Sequence, residues 1–481
     1  MGYIAFAIAG KYFKKSWLWI LAVLVIFSPL FINIYSAVSG GNIIGSARGA
    51  LGGIGIGIVT AFLVYGTLSK QKLIRRISLG SIVIGIMGFI AIWIKLITPG
   101  TVIHQKFIDL ASGTRFAFWE IAQKVMEERP VLGYGPANYP IAQSQYFDPQ
   151  FLSKSLAFEA WTDQPHNVYY DIGVSGGYPA IVLYVLFISS LVYAIYRSDR
   201  FTNTQKAALV GTLIGYLAQD LVAFDGFITL FAFGTFCGIA YMGLVSPSTD
   251  LEPKSLSWQP YLLGVTAIVG IVGCYTFSYR PAHKARLFAE VLGSKLNERY
   301  PRYQEFLNGS TVGNYWDVGG FGYDEYKLYA ANPASIKSDQ KILPHAIRDV
   351  NAYITYLEEV TKTNKTDYRL YFTIINLYNT KIYFTDMPYD PSVAAHMTEL
   401  IEYAQRLAPT DPRIYWLYAQ LAAWKGDMDS VIKAYKNGIA IDPTLPVSHK
   451  LLLQFLSGTK NEKLYKEALS NAQQRIPGFT I

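Results

Sequence analysis

Ser78–Ile97 reads SLGSIVIGIMGFIAIWIKLI, a run whose one charged residue is Lys95, close to its end. About 20 consecutive apolar residues make a helix long enough to cross the hydrocarbon core of a bilayer. The run therefore predicts a membrane-spanning helix. Comparable runs lie on either side of it, at Trp17–Ser36, Gly49–Leu68, Val168–Tyr196, Ala207–Ala223, Phe227–Val245 and Tyr261–Tyr279. Beyond Arg280 the chain turns polar and charged, with helical periodicity. The overall composition, 51% hydrophobic and 16% charged, averages two unlike halves. The predicted architecture is all-α. Residues 1–280 form a polytopic transmembrane bundle with an external loop at about 98–165, 281–344 a linker with first helices, and 345–481 a helical repeat array.

Charge predicts the orientation. Lys11, Lys14 and Lys15 precede the first run, and Lys70, Lys72, Arg75 and Arg76 lie between the second and third. Arg197, Arg200 and Lys206 follow the fourth, and Lys254 the sixth. These stretches alternate with loops poor in Lys and Arg, so the positive-inside rule puts them in the cytoplasm. The opposite, outer face receives Arg48, Thr98–Pro165, the Asp220/Asp225 pair and the C-terminal domain. The net charge of +8 belongs to this pattern. No basic stripe interleaved with aromatics is present, so nucleic acid is not an expected partner. Cys237 and Cys274 fall in apolar runs and read as small buried hydrophobes, without a disulfide or metal framework. The N-terminus carries no signal-peptide cleavage pattern.

The loop between the third and fourth runs carries most of the chemistry. Ser112 and Thr114 can cap a helix that continues to about Arg129, where Pro130 stops it. Arg115 and Trp119, four residues apart, share one face of that helix. Pro130-Val131-Leu132-Gly133-Tyr134-Gly135-Pro136 reads as a tight turn, and Gln143–Trp161 as a short lid helix. His166-Asn167 closes the loop, with Asp163 near enough to orient the imidazole. A titratable ring at a membrane boundary suggests proton chemistry there. Arg48, in Gly45-Ser46-Ala47-Arg48-Gly49-Ala50, is the basic residue of a short external loop where positive charge is disfavoured. The Gly52-Gly53-Ile54-Gly55-Ile56-Gly57 run follows no strand and reads as close helix packing, not as a phosphate loop.

In the C-terminal half, Leu407-Ala408-Pro409-Thr410-Asp411-Pro412 recurs as Ile441-Asp442-Pro443-Thr444-Leu445-Pro446, 34 residues later. A helix-turn-helix period of 34 residues resembles the tetratricopeptide repeat. Tyr415, Tyr418, Ala422, Val431, Tyr435 and Pro443 occupy its packing positions, and His345–Lys362 and Asp367–Thr385 read as degenerate copies. Such arrays present a surface for a protein partner. Asp427-Met428-Asp429 falls in an inter-helix turn and is not expected to bind metal.

Four stretches together resemble the O-antigen ligase and O-antigen polymerase superfamily of envelope glycan transferases. They are Ser46-Ala47-Arg48-Gly49-Ala50, Thr114-Arg115-Phe116-Ala117-Phe118-Trp119, Pro130-Val131-Leu132-Gly133-Tyr134-Gly135, and His166-Asn167 followed by Gly173, Gly176 and Gly177. The family often has Glu nine residues after the His, where this chain has Ser175. Its members also carry more membrane segments before the arginine motif, which implies a shortened N-terminus here. The resemblance implies a GT-C-like bundle in the cytoplasmic membrane that works without a metal or other cofactor. It implies a polyprenyl-diphosphate-linked glycan as donor and a glycan, lipid or protein hydroxyl as acceptor. Arg48 and Arg115 are then expected to bind the leaving diphosphate, and His166 to take the acceptor proton. Asn167, Trp119, Tyr134 and Asp163 are expected to line the substrate, with Tyr139 and Trp161 as further stacking rings. A repeat-unit polymerase, a protein O-glycosyltransferase and a non-catalytic membrane anchor for the repeats are the alternatives.

Overall fold

The computed structural model describes residues 48–111, 114–153, 161–243, 259–309, 327–459 and 461–480. Among these residues the regular structure is entirely helical. Contacts divide the chain into two units, residues 1–143 with 159–249, and 144–158 with 250–481.

The described part of the first unit begins with α1 (Arg48–Thr67) and α2 (Lys72–Ile97). The stretch between α2 and residue 168, expected as the external loop, supplies α3 (Val102–Ala111), α4 (Thr114–Glu128) and α5 (Tyr139–Gln145). α6 (Val168–Arg197), α7 (Asn203–Asp220) and α8 (Phe227–Met242) complete the unit. Gly49–Thr67, Lys72–Ile97 and Val168–Arg197 are long and apolar enough to cross a membrane. The expected first run, Trp17–Ser36, lies outside the described residues. The expected run Ala207–Ala223 forms α7, which starts four residues earlier behind a Thr202–Gln205 capping box and turns Leu209, Val210 and Leu213 inward. α8 has 16 residues, fewer than its apolar run suggested, because Gly226 and Gly243 bound it. Lys72, Arg75 and Arg76, expected in a loop, lie in the first turns of α2.

The glycine run of α1 is an interhelical seam. A Cβ on Gly53 would lie 2.5 Å from the Gly215 main-chain oxygen, and one on Gly57 would lie 2.7 Å from that of Gly211. Only hydrogen fits there, so α1 and α7 approach backbone to backbone, as small residues allow in a membrane.

α6 is broken. Gly176 (φ −139°) and Gly177 (φ 68°, ψ −171°) leave the helical region, and Pro179, which has no N–H, follows. The residues from Tyr178 onward still rise about 30 Å, enough for one crossing. The short piece from Val168 to Ser175 therefore precedes the span, and His166 sits at the start of that piece.

In the second unit, α9 (Gln259–Cys274) runs through a π-helical turn, Tyr275–Tyr279, into α10 (Arg280–Gly293). The boundary expected near residue 280 thus falls inside a continuous helical run. Cys274 is exposed and Cys237 half-buried, so the reading of both as buried hydrophobes is corrected for Cys274. α11 (Tyr300–Asn308) and α12 (Pro333–Ser338) follow. Then come α13 (Leu343–Thr363), α14 (Tyr368–Thr385), α15 (Pro391–Leu407), α16 (Arg413–Lys425), α17 (Met428–Ile441), α18 (Pro446–Ser457) and α19 (Glu462–Arg475), each packed on the next. Their ends are chemically specified. Asp367, Asp390, Asp427 and Asn461 accept N-terminal amides, and Gly426 closes α16 with a left-handed φ of 78°. Asp427 is thereby a helix cap. Tyr418, Ala422, Val431 and Tyr435 meet in one core cluster. The buried Arg299 donates to Asp349 (3.0 Å) and to the Tyr329 hydroxyl (2.8 Å).

Candidate active site around His166

The site is built on the break in α6. A regular helix would pair the Val174 oxygen with the Tyr178 amide, and the Ser175 oxygen with the amide that Pro179 lacks. The Pro130–Gly135 turn takes up these groups instead. Tyr134 N donates to Val174 O (2.7 Å), Gly135 N to Ser175 O (3.0 Å), and Tyr178 N to Pro130 O (2.8 Å). The approach requires glycine on both sides. A Cβ on Gly133 would stand 2.3 Å from the Val174 oxygen, and one on Gly177 2.4 Å from the Pro130 oxygen. The turn after α4 is thus locked to the short helix that follows His166.

α4 holds the other side. Its buried face carries Phe118, Trp119, Ile121, Ala122, Val125 and Met126. Trp119 Nε1 donates to the Pro165 oxygen (3.0 Å), two residues from Asn167. The Trp119 ring is buried between Trp93 and Tyr170, at centroid distances of 5.7 Å and 5.9 Å. Buried Tyr139 donates its hydroxyl to the Phe118 oxygen (2.9 Å), and burial pushes that phenol well above its ordinary range, so it stays a neutral donor.

His166 has φ 55°, a left-handed conformation uncommon outside glycine. Its flanks enforce it. Trp119 holds Pro165 on one side, and on the other the Asn167 side chain accepts from Tyr169 N (2.9 Å) and Tyr170 N (3.2 Å). The imidazole stacks on Phe118 (5.7 Å, 25°) and meets Phe224 edge-on (5.1 Å, 82°). Nδ1 lies 3.1 Å from the Gln164 oxygen. A carbonyl oxygen can only accept, so in the neutral ring Nδ1 carries the hydrogen and Nε2 keeps its lone pair. Half-buried His166 is therefore held in the tautomer that can accept a proton at Nε2.

Buried Asn167 is fully committed: it caps α6 and donates from Nδ2 to the Leu221 oxygen (2.9 Å) across 54 residues. Next to Leu221, Val222 packs where a Gly49 Cβ would be, 2.9 Å away, so the first turn of α1 abuts the same corner. α1 begins at Arg48, and Arg115 stands one turn before Phe118 and Trp119 on α4. The start of α1 and helix α4 thus both reach the segment around His166-Asn167, α1 through Val222 beside Leu221 and α4 through Phe118 and Trp119. Arg115 is half-buried.

The remaining expected residues are placed differently from one another. Asp163 is exposed, and the His166 ring rests on the Gln164 oxygen. Tyr134 donates to Glu128 (2.8 Å) beneath the Arg129 guanidinium, 4.0 Å from the ring centre. The lid helix expected over Gln143–Trp161 is not continuous. α5 ends at Gln145, a 3-10 turn covers Pro149–Leu152, and residues 154–160 lie outside the described residues. Sequence reasoning missed Phe118, Phe224 and the Leu221 carbonyl, defined by contacts remote in sequence, and the Gln164 carbonyl two residues before His166. It read Asp220 only as a loop residue near a segment end. Asp220 is buried, and among the described residues its Oδ2 has no hydrogen-bond partner. Asp225 beside it accepts from the Tyr216 hydroxyl (2.7 Å).

Residues 34–185, which include Arg48, Arg115 and His166-Asn167, match the protein-family model described as O-antigen ligase. No curated protein and no solved structure matches the chain. The matched stretch is similar to the O-antigen ligase family, and three helices are long and apolar enough to cross a membrane.

Proposed function

We propose that the chain is a glycan ligase of the cytoplasmic membrane, transferring a glycan from a polyprenyl-diphosphate carrier to an acceptor hydroxyl at the outer face. The observation that carries this reading is the His166 ring, with Nδ1–H on the Gln164 oxygen and Nε2 left as a base, inside the stretch that matches the family. The acceptor oxygen attacks the anomeric carbon while the bond to the diphosphate oxygen breaks. The bonding pair leaves with the diphosphate, and the hydroxyl proton passes to Nε2. Arg48 and Arg115 neutralise the departing diphosphate through two-pronged hydrogen bonds, which a water-poor membrane edge strengthens.

The geometry divides the other residues by role. Trp119 and Asn167 fix the backbone on either side of His166, because their polar atoms are already bonded to protein. The exposed Asp163 is the residue of the proposed set best left to meet substrate, whereas the Tyr134 hydroxyl and ring are engaged by Glu128 and Arg129. The second unit is read as tetratricopeptide-type repeats carried on the outer side. A repeat-unit polymerase would use the same chemistry with a different acceptor.

Membranes carrying the chain, supplied with a polyprenyl-diphosphate glycan and acceptor, are expected to consume donor and yield a product heavier by the glycan mass. Arg48→Ala is expected to stay in the membrane and lose transfer. Unconsumed donor with the parent chain would favour a non-catalytic anchor for the repeats and refute the proposal.

A further inference from the structure

The second unit contains a segment that comes from far away in sequence. Residues 144–153 group with the C-terminal helices, and the contacts of Phe147 and Gln150 fall on two loops 34 residues apart. Thr410 and Thr444 are 34 residues apart, each in the turn before a repeat helix. The Thr410 hydroxyl donates to the Phe147 oxygen (2.7 Å). The Gln150 amide donates to Thr444 Oγ1 (3.2 Å) and to the Asp442 carboxylate. Asp442 in turn holds Thr444, accepting from its amide (2.9 Å) and hydroxyl (2.7 Å).

The seat is preorganised. Buried Asp411 grips buried Arg413, with Nε to Oδ1 at 3.0 Å and Nη2 to Oδ2 at 2.6 Å. The guanidinium so fixed lies 4.9 Å from the centre of the Phe147 ring and 4.8 Å from that of Phe372. Phe147 and Phe151 are 4% and 0% exposed, and the two rings meet edge-on at 5.6 Å. The segment is shaped to fit. Asp148 accepts from Gln150 N (2.9 Å) to start the 3-10 turn, and Ser153 donates to the Gln150 oxygen (2.6 Å) to finish it.

We propose that the two inter-repeat loops form a peptide-recognition site and that its resident ligand is the chain's own Phe147-Asp148-Pro149-Gln150-Phe151. The array reads a main-chain oxygen with one threonine and, three residues on, a glutamine amide with the equivalent threonine. The Phe147 ring, backed by Phe151, and the Arg413 stacking platform supply the rest. A tethered ligand competes at an effective concentration of about millimolar, so the site is occupied within each molecule. This assignment stands apart from the proposed catalysis and does not require it.

The test is proximity crosslinking in the full-length, membrane-embedded chain. Gln150→Cys and Thr444→Cys are introduced with Cys237→Ala and Cys274→Ala and treated with a short bis-thiosulfonate reagent. A control pairs Gln150→Cys with Lys463→Cys. The expected result is an intramolecular crosslink forming about tenfold or more faster than in the control. Phe147→Ala with Phe151→Ala is expected to abolish that advantage. Should that variant fail to fold, Thr410→Val decides, since it removes one donor from a seat of nearly unchanged shape and is expected to slow crosslinking severalfold. A rate equal to the control, crosslinks between molecules, or a rate unchanged by the Phe or Thr substitutions would overturn the proposal.

Discussion

Asn167 is the residue through which the packing of the corner should be felt most directly at His166. Its side chain accepts two amides at the start of α6 and donates to the Leu221 oxygen. Asn167→Ala removes both functions. Loss of a cap costs about 1 kcal/mol. Leaving the partly buried Leu221 oxygen unpaired costs about 1–2 kcal/mol more. If the combined loss of about 2–3 kcal/mol falls on the reacting geometry, turnover drops by roughly 30- to 150-fold. Two further variants separate the functions. Asn167→Asp keeps the cap, and a helix N-terminus favours its charge, but it cannot donate to Leu221. Asn167→Ser caps without reaching Leu221. Both are expected to melt a few degrees below the parent, by the about 1–2 kcal/mol of the lost Leu221 contact and less than Asn167→Ala, and to lose about tenfold in turnover with little change in donor KM. The assay is glycan transfer at saturating donor, beside a thermal melt of each variant in the same detergent. Full turnover by Asn167→Asp, or Asn167→Ala within twofold of the parent, would refute the claim that the Leu221 tether positions His166.

Two other substitutions test the framework. Gly177→Ala forces a side chain to within 2.4 Å of the Pro130 oxygen at a φ of +68°. It should lower stability by at least about 1–3 kcal/mol, seen as a depressed melt together with lost transfer. In the second unit, Asp349→Leu leaves the Arg299 charge, 1% exposed, without its carboxylate. A loss of about 3–5 kcal/mol is expected from chemical denaturation. Joint Arg299→Leu and Asp349→Leu should recover much of it, and a double variant as unstable as the single one would contradict the ion-pair account.

Local signals in the sequence were informative where local physics decides. The Pro130 stop and the Ser112/Thr114 start predicted a helix close to the observed Thr114–Glu128, with Ser112 outside the described residues. The glycine run of α1 read as packing, and it is the α1–α7 seam. Tyr418, Ala422, Val431 and Tyr435 met as their spacing suggested. What sequence could not give was set by distant partners. The apolar run from Val168 is continuous in composition, so the break at Gly176–Gly177 was invisible until the Pro130–Gly135 turn arrived to pair the freed backbone. The left-handed His166 depends on Trp119, 47 residues earlier, and on the Asn167 cap. Trp119 looked like a stacking platform because an aromatic in a polar loop carries no mark of burial. The lid helix was predicted over residues whose Phe147 and Gln150 are held by Thr410, Arg413, Asp442 and Thr444, more than 200 residues away.

The central claim is that His166 Nε2 takes the acceptor proton during glycan transfer. The most direct measurement is chemical rescue. Membranes carrying His166→Ala are assayed with polyprenyl-diphosphate glycan, with and without added imidazole. The account predicts a loss of about 10²- to 10⁴-fold, partly restored by imidazole as its neutral form increases with pH. Transfer by His166→Ala at the parent rate without imidazole would contradict it.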